Sequence, residues 1–501
     1  MTMRAALLAL ALSLGVTATS HGQPRPLFQD QEPDIPTVRV PAVPDIVVRE
    51  LHAPTADAAG AGSATDLSDG WGDTSPEMVM AALNRLPPEP LSRRARDLQV
   101  ALLQLPTPES QPPGALLDLR LRQLIRLGQT AEARSLADEA GFSALRTPTL
   151  APAAAGLALA EGNDHDACEL ARHGDGFTPG LGEINLFCAI RQGDLDTALV
   201  LFNALGETDS LRTQPFAALA AVALGFGTVQ EVEWSAPAQP VDLALTEHLQ
   251  IPVPDEALAS ASHAALRRVA QDPVSSPSLR AQARAWIATL EGRPTTVGPQ
   301  ADRLRAIGDP SERARAVVAL WQSTEDPAAR LDLLPQLAPL VAAIAPRVAL
   351  APEAPTLAAI LVAAGEEGAA LTWFDMLETQ RQGGRDAADR TAVLMILAGL
   401  IDPSRMPASP AGLYDPVDAA WLAAGLAGQG IELSAPWQRI RHDPGPATAG
   451  APALDLARGL VDLESQDPAV FARGLAALVE QDHAMDARAI ASNMVVARLH
   501  A

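Results

Sequence analysis

Gly128 is followed five residues later by Ala133 and eight later by Leu136, and the same offsets return at Gly162, Ala167, Leu170 and at Gly193, Ala198, Leu201. The three glycines stand 34 and 31 residues apart. Glycine takes the left-handed backbone that carries a chain out of one helix and into an antiparallel neighbour. A small alanine then lets the two helices approach closely, and the leucine one turn on fills the remaining gap. Gly365, Ala370 and Trp373 repeat the offsets more loosely, while Asp482, Ala487 and Ile490 repeat them with aspartate in place of glycine. A unit of this length holds one pair of helices, too small to bury its own apolar side, so the pattern demands that successive pairs stack.

Composition agrees. The 501 residues are 48% hydrophobic with only 3% aromatic, so the apolar share comes from Ala, Leu and Val, which favours closely packed helices over a sandwich or barrel. After Trp71, apolar residues recur at three- and four-residue intervals in pieces broken by Pro, Gly or Asp, such as Leu117 to Ile125, Ala283 to Leu290 and Leu331 to Val341. The expectation is an all-α chain.

A turn glycine, an alanine five residues on and a period near 34 resemble the tetratricopeptide repeat, most clearly from Gly128 to Leu205. The resemblance implies an α-solenoid of antiparallel helix pairs over residues 76–250, with further helical repeats over 251–501 that drift and could form either a continuation or a second subdomain. An exported, Ala-rich chain of degenerate helical repeats with one cysteine pair is also similar to envelope proteins of Gram-negative bacteria.

The N-terminus reads as a secretory signal over residues 1–20: Arg4, an apolar run from Ala5 to Val16, then the small residues Ala18-Thr19-Ser20. Polar Thr17, Thr19, Ser20 and His21 make the run too short to span a membrane, and no later run is long enough, so no integral membrane segment is expected after signal removal. A periplasmic or secreted location follows. Residues 21–75 are rich in Pro, Gly, Asp and Ser and read as a disordered linker, although the β-branched stretch Val38 to Val48 could instead lie as a strand along the folded part.

In an oxidising compartment Cys168 and Cys188, the only two cysteines, form a candidate disulfide between neighbouring helices; two buried free thiols are the alternative. Asp164, His165, Asp166, Cys168 and His173 cluster in sequence but match no metal-ligand spacing, so neither a metal nor any other cofactor is expected. The 37 basic residues, all Arg, against 60 acidic ones leave a formal charge of −23, a field that disfavours nucleic acid and anionic lipid as partners.

No nucleophile elbow, phosphate loop or dinucleotide glycine fingerprint occurs, and no catalytic residue is assigned. Acid pairs such as Glu366-Glu367 and Glu231-Glu233 are ordinary in so acidic a chain, and His165, His173, His248, His263, His442 and His483 are expected to be solvated. Trp286, Trp321, Trp373 and Trp421 fall on apolar helix positions and are expected in the core, whereas Trp71, Trp234 and Trp437 lie near loop residues and are expected to be partly exposed.

The function expected from this reading is a non-enzymatic scaffold that binds a protein or peptide of the cell envelope. Arg120, Arg126, Glu183, Asn185 and Arg191, on the first helices of the regular repeats, are the expected partner-facing residues. The alternative is an accessory or degenerate peptidoglycan-processing protein, since some exported cell-wall lyases carry Ala-rich helical superhelices; Glu464-Ser465 is the nearest approach to their catalytic Glu-Ser.

Overall fold

Proline, at 43 residues, opens helices here rather than breaking them. Among the described residues ten α-helices begin on a proline, whose missing N–H costs nothing in the first turn. At Asp309, Asp326, Asp415 and Asp467 the residue before it is an aspartate whose carboxylate accepts first-turn N–H groups. The computed structural model describes residues 70–499 except 89, 175–179, 208–214, 230–231, 235–237, 252, 255–256, 259–260, 272–274, 291–298, 382–383 and 441–450. The expected signal, the Val38 to Val48 stretch, Glu231 and His442 lie outside the described residues.

Among the described residues the chain is all-α, with 24 α-helices and no strand. They run α1 (Pro76–Arg85), α2 (Arg93–Gln104), α3 (Ala115–Arg126), α4 (Thr130–Ala140), α5 (Phe142–Leu145), α6 (Ala151–Ala160), α7 (Asp164–Ala171), α8 (Leu181–Gln192), α9 (Leu195–Gly206), α10 (Pro215–Ala223) and α11 (Pro240–His248). There follow α12 (His263–Gln271), α13 (Pro277–Leu290), α14 (Pro299–Arg305), α15 (Pro310–Ser323), α16 (Pro327–Ala342), α17 (Ala354–Ala364), α18 (Glu367–Thr379) and α19 (Arg385–Leu397). The last are α20 (Pro416–Gly428), α21 (Ala435–Gln438), α22 (Pro452–Leu463), α23 (Pro468–Glu480) and α24 (Ala484–Arg498).

Neighbouring helices pack as solenoid-like pairs, and the sequence repeat marks their turns. Gly128, Gly162, Gly193, Gly365 and Asp482 join α3–α4, α6–α7, α8–α9, α17–α18 and α23–α24, all with φ between 62° and 78°. At each turn the residue after the left-handed one donates its N–H to the carbonyl five residues back, as in Gln129 N to Leu124 O, Asn163 N to Ala158 O and Asp194 N to Ala189 O. This bond satisfies a carbonyl that the ending helix would otherwise leave open. Ala133, Ala167, Ala198, Ala370 and Ala487 are fully buried.

Cys168 of α7 and Cys188 of α8 form a disulfide with Cα atoms 5.6 Å apart. It ties one repeat pair to the next across a separation of 20 residues. The Cys168→Ser/Cys188→Ser variant is expected to lose about 3 kcal/mol of stability through the freed loop, read as a lower urea midpoint; reductant should reproduce the loss in the native chain and leave the variant unchanged.

One apolar cluster extends from Trp71 to Leu499, and a smaller one surrounds Leu258, Leu266 and Val269 near α12 and α13. α17 is buried nearly all round, against α16, α18, α19 and α24, and burying Leu357, Ile360 and Leu361 there contributes roughly 2 kcal/mol each. The array also meets itself: α1 packs on α22, and α2 packs on α22 and α24.

Several side chains are placed differently from their local sequence context. Trp71 and Trp437 are in the core rather than partly exposed, at 2% and 0%. Trp71 lies on a turn closed by Thr74 N to Trp71 O, beside Ala453 N donating to Gly70 O, while Trp437 Nε1 donates to Pro407 O. His263 and His483 are likewise buried rather than solvated, His263 against Gly128 at the end of α3 and His483 with its Nδ1 3.0 Å from Asp486 Oδ2. Trp321, Trp373 and Trp421 are core residues as expected, and Trp286 and Trp234 are half-buried.

Candidate binding groove

Pro87-Pro88 follows α1, and Leu91-Ser92 leads into α2. Three polar contacts fix this start against the last helices. Leu91 N donates to Glu464 Oε1 at 3.2 Å, Ser92 Oγ donates to Asn493 Oδ1 at 3.3 Å, and Arg94 Nε meets Asp486 at 2.7 Å. Glu464 is therefore engaged in joining helices; burial pushes its carboxyl above the usual range, and the Leu91 N–H and nearby Arg498 oppose this.

Two adjoining cavities of about 310 and 540 Å³ open between α2, α16, α17 and α24, sharing Arg93, Ala363, Ala364 and Asn493 as walls. The first is walled by Leu331, Pro335 and Pro339 of α16, the second by the ends of α17 and α19 and by Arg488 of α24. Pro335 and Pro339 stand inside α16. Each lacks the N–H that would meet the carbonyl four residues earlier, so Leu331 O and Pro335 O lose that partner along the wall. Charges of both signs line the groove: Arg93 and Arg96 with Asp332 and Glu366 in the first cavity, Arg93, Arg94 and Arg488 with Asp97 and Glu367 in the second. The side-chain hydroxyls there belong to Ser92 and Ser492, both engaged, Ser492 with Arg488 O.

The expected partner-facing residues do not gather in this groove. Arg126 and Arg191 are exposed, Glu183 and Asn185 half-buried, and Arg120 buried, donating to Leu103 O at 2.6 Å. On α3, Arg120 and Gln123 reach the carbonyl ends of α2 and α1, which accounts for polar residues on a buried face. His165, Asp166 and Glu169 bring their ligand atoms within 4.8 Å of one another on α7. Glu169 is already paired with Arg146, and Asp166 accepts from Asn163; Asp164 pairs with Arg268 and Cys168 is in the disulfide. Surface pairing and helix capping explain that cluster.

Glu183 of α8 and Asp242 of α11 form a second notable pair. Asp242 is 1% exposed; one carboxylate oxygen accepts from Gln239 N at 2.7 Å and the other, Oδ1, has no partner. Burial pushes Asp242 up to about 7 against the Gln239 bond, with the charge of Glu183 adding to the rise, and burial alone pushes Glu183 up to about 7. A carboxyl raised in the folded state contributes stability that is complete below its ordinary value near 4 and lost as pH rises to about 7. Asp242→Asn keeps an acceptor for Gln239 N, so it is expected to stabilise the fold by about 1–2 kcal/mol at pH 8 and to do nothing favourable at pH 4. Paired thermal melts at the two pH values check this, and an equal shift at both would refute the assignment.

Compared with known protein families, curated proteins and solved structures, the chain matches none.

Proposed function

We propose that this chain is a non-enzymatic interaction scaffold, a degenerate tetratricopeptide-like array that acts in the periplasm or secreted fluid and holds an extended segment of an envelope protein or peptide in the groove beside α16. The interrupted helical bonding of α16 carries the reading. An extended peptide presents N–H donors along its length, and the carbonyls of Leu331 and Pro335, which lack their usual helical donor, are the acceptors this wall can offer them. Apolar Leu331 and the small Ala363 and Ala364 leave room for a main chain, and the mixed charges at the rim set its register. The engaged hydroxyls favour binding over nucleophilic chemistry.

Export rests on the disulfide, which persists in oxidising compartments, and on the signal-like start of the sequence. Among the described residues no helix is long and apolar enough to cross a membrane.

Peptide display selected on the folded protein tests the groove, with Ala364→Trp as counter-target because Ala364 lines both cavities and the indole would obstruct the wall they share. Enriched peptides are expected to bind the native chain and to lose at least tenfold affinity for the variant. Selection that yields no sequence, or peptides indifferent to the filled groove, would sink the proposal.

A further inference from the structure

We infer that the 540 Å³ cavity at the α2–α17–α19–α24 end of the groove is an oxyanion site, built to take a carboxylate or phosphoryl group of a ligand. The inference extends the groove reading but is measured without any peptide. Three arginines line the cavity in a protein of formal charge −23. Arg94 is committed to Asp486 at 2.7 Å and lies 3.9 Å from Asp97. Arg488 differs: its Nη1 contacts only the sulfur of Met485 at 3.9 Å, and its Nε is buried with no hydrogen-bond partner. No carboxylate pairs with it among the described residues.

The backbone is shaped around this guanidinium. A Cβ on Gly399 would stand 2.5 Å from Arg488 Cζ and Nε, so the guanidinium lies directly on main chain that only glycine leaves bare, at φ +70°. Its position is thereby set by α19's end rather than by an acid. Arg93 and Arg94, in the first turn of α2, line the same cavity, and Ser92 just before them lines the adjoining one. Ser92 does not cap its helix, since its hydroxyl turns to Asn493, and no acidic residue occupies the first turn. The N–H groups there and the positive end of the helix dipole face an unmet demand for negative charge, which supports the arginines without defining the site alone. An oxyanion beside Arg488 would accept two or more charge-assisted hydrogen bonds in a partly desolvated setting. Asp97 of α2 and Glu367, exposed at the first turn of α18, are the like charges such a ligand meets there.

The test titrates the full disulfide-bonded chain with inorganic phosphate and, separately, with succinate, by calorimetry and thermal shift, against sodium chloride at matched ionic strength. Saturable binding is expected, weakened at least tenfold by Arg488→Gln, weakened by Ser92→Asp, which supplies a carboxylate at the same helix end, and strengthened two- to fivefold by Glu367→Gln. Tighter phosphate would assign a phosphoryl ligand and tighter succinate a carboxylate. If Arg488→Gln fails to fold, Ser92→Asp and Glu367→Gln carry the result with opposite signs. Responses equal to chloride, or unchanged by these variants, overturn the site while leaving the peptide groove to its own test.

Discussion

Arg268→Ala is expected to lower the unfolding free energy by about 3–5 kcal/mol. The guanidinium is 4% exposed and touches three elements besides its own. It makes two bonds to Asp164 of α7, at 2.7 and 3.2 Å, one to Glu247 of α11 at 2.8 Å, and one to Leu159 O at the end of α6 at 2.8 Å. Removing it leaves Leu159 O and the Asp164 carboxylate without their donor in a largely closed space, while exposed Glu247 can turn to water, and the stranded groups cost more than the net worth of the pairs themselves. Arg268→Ala/Asp164→Ala should recover part of the loss, because the acid stranded by the first change is gone. Chemical denaturation of the single and double variants measures both quantities; a loss under 1 kcal/mol for Arg268→Ala would show the network to be incidental.

Gly128→Ala is expected to cost about 3 kcal/mol, well above the same change at Gly162 or Gly193. All three glycines have φ between 73° and 78°, so each substitution carries a left-handed backbone penalty of about 1 kcal/mol. At Gly162 and Gly193 a new Cβ meets nothing within 4 Å. At Gly128 it would stand 2.3 Å from Cγ of His263, a side chain 6% exposed at the first position of α12. α12 packs on α3 and α6, so the imidazole cannot withdraw without separating helices, and overpacking adds roughly 2 kcal/mol. Equal midpoint shifts for the three variants in urea would contradict this.

The helix pairs were legible because their turns are local chemistry. A left-handed residue followed five later by alanine fixes both the hydrogen bond across the turn and the close approach of the second helix, and neither depends on distant parts of the chain. Even the aspartate at 482 adopts the geometry of the glycines, with φ 62°. What local pattern does not contain is the partner of each face. Gly128 reads as a turn residue, and nothing near it in sequence announces His263. Arg120 reads as solvated, yet α3 is covered by the ends of α1 and α2, and the arginine serves their carbonyls.

The groove was missed for the same reason, since its walls come from segments around 93, 335, 364 and 490. Two signals were present: Arg93-Arg94-Ala95-Arg96, a basic run in an acidic chain, and the prolines at 335 and 339 inside an otherwise continuous apolar helix. Either could have marked a surface with something to bind, but only the packing of α2 onto α24 brings them together.

That packing also governs how the molecule comes apart. Repeat arrays commonly fray from their extremities, because a terminal pair has only one neighbour to lose. Here α1 and α2 lean on helices nearly four hundred residues later in the chain, so their apolar sides stay uncovered until the final segment is in place. Deleting α24 should therefore expose α2 as well as α17, and proteolysis of such a truncated chain would begin at both extremities together.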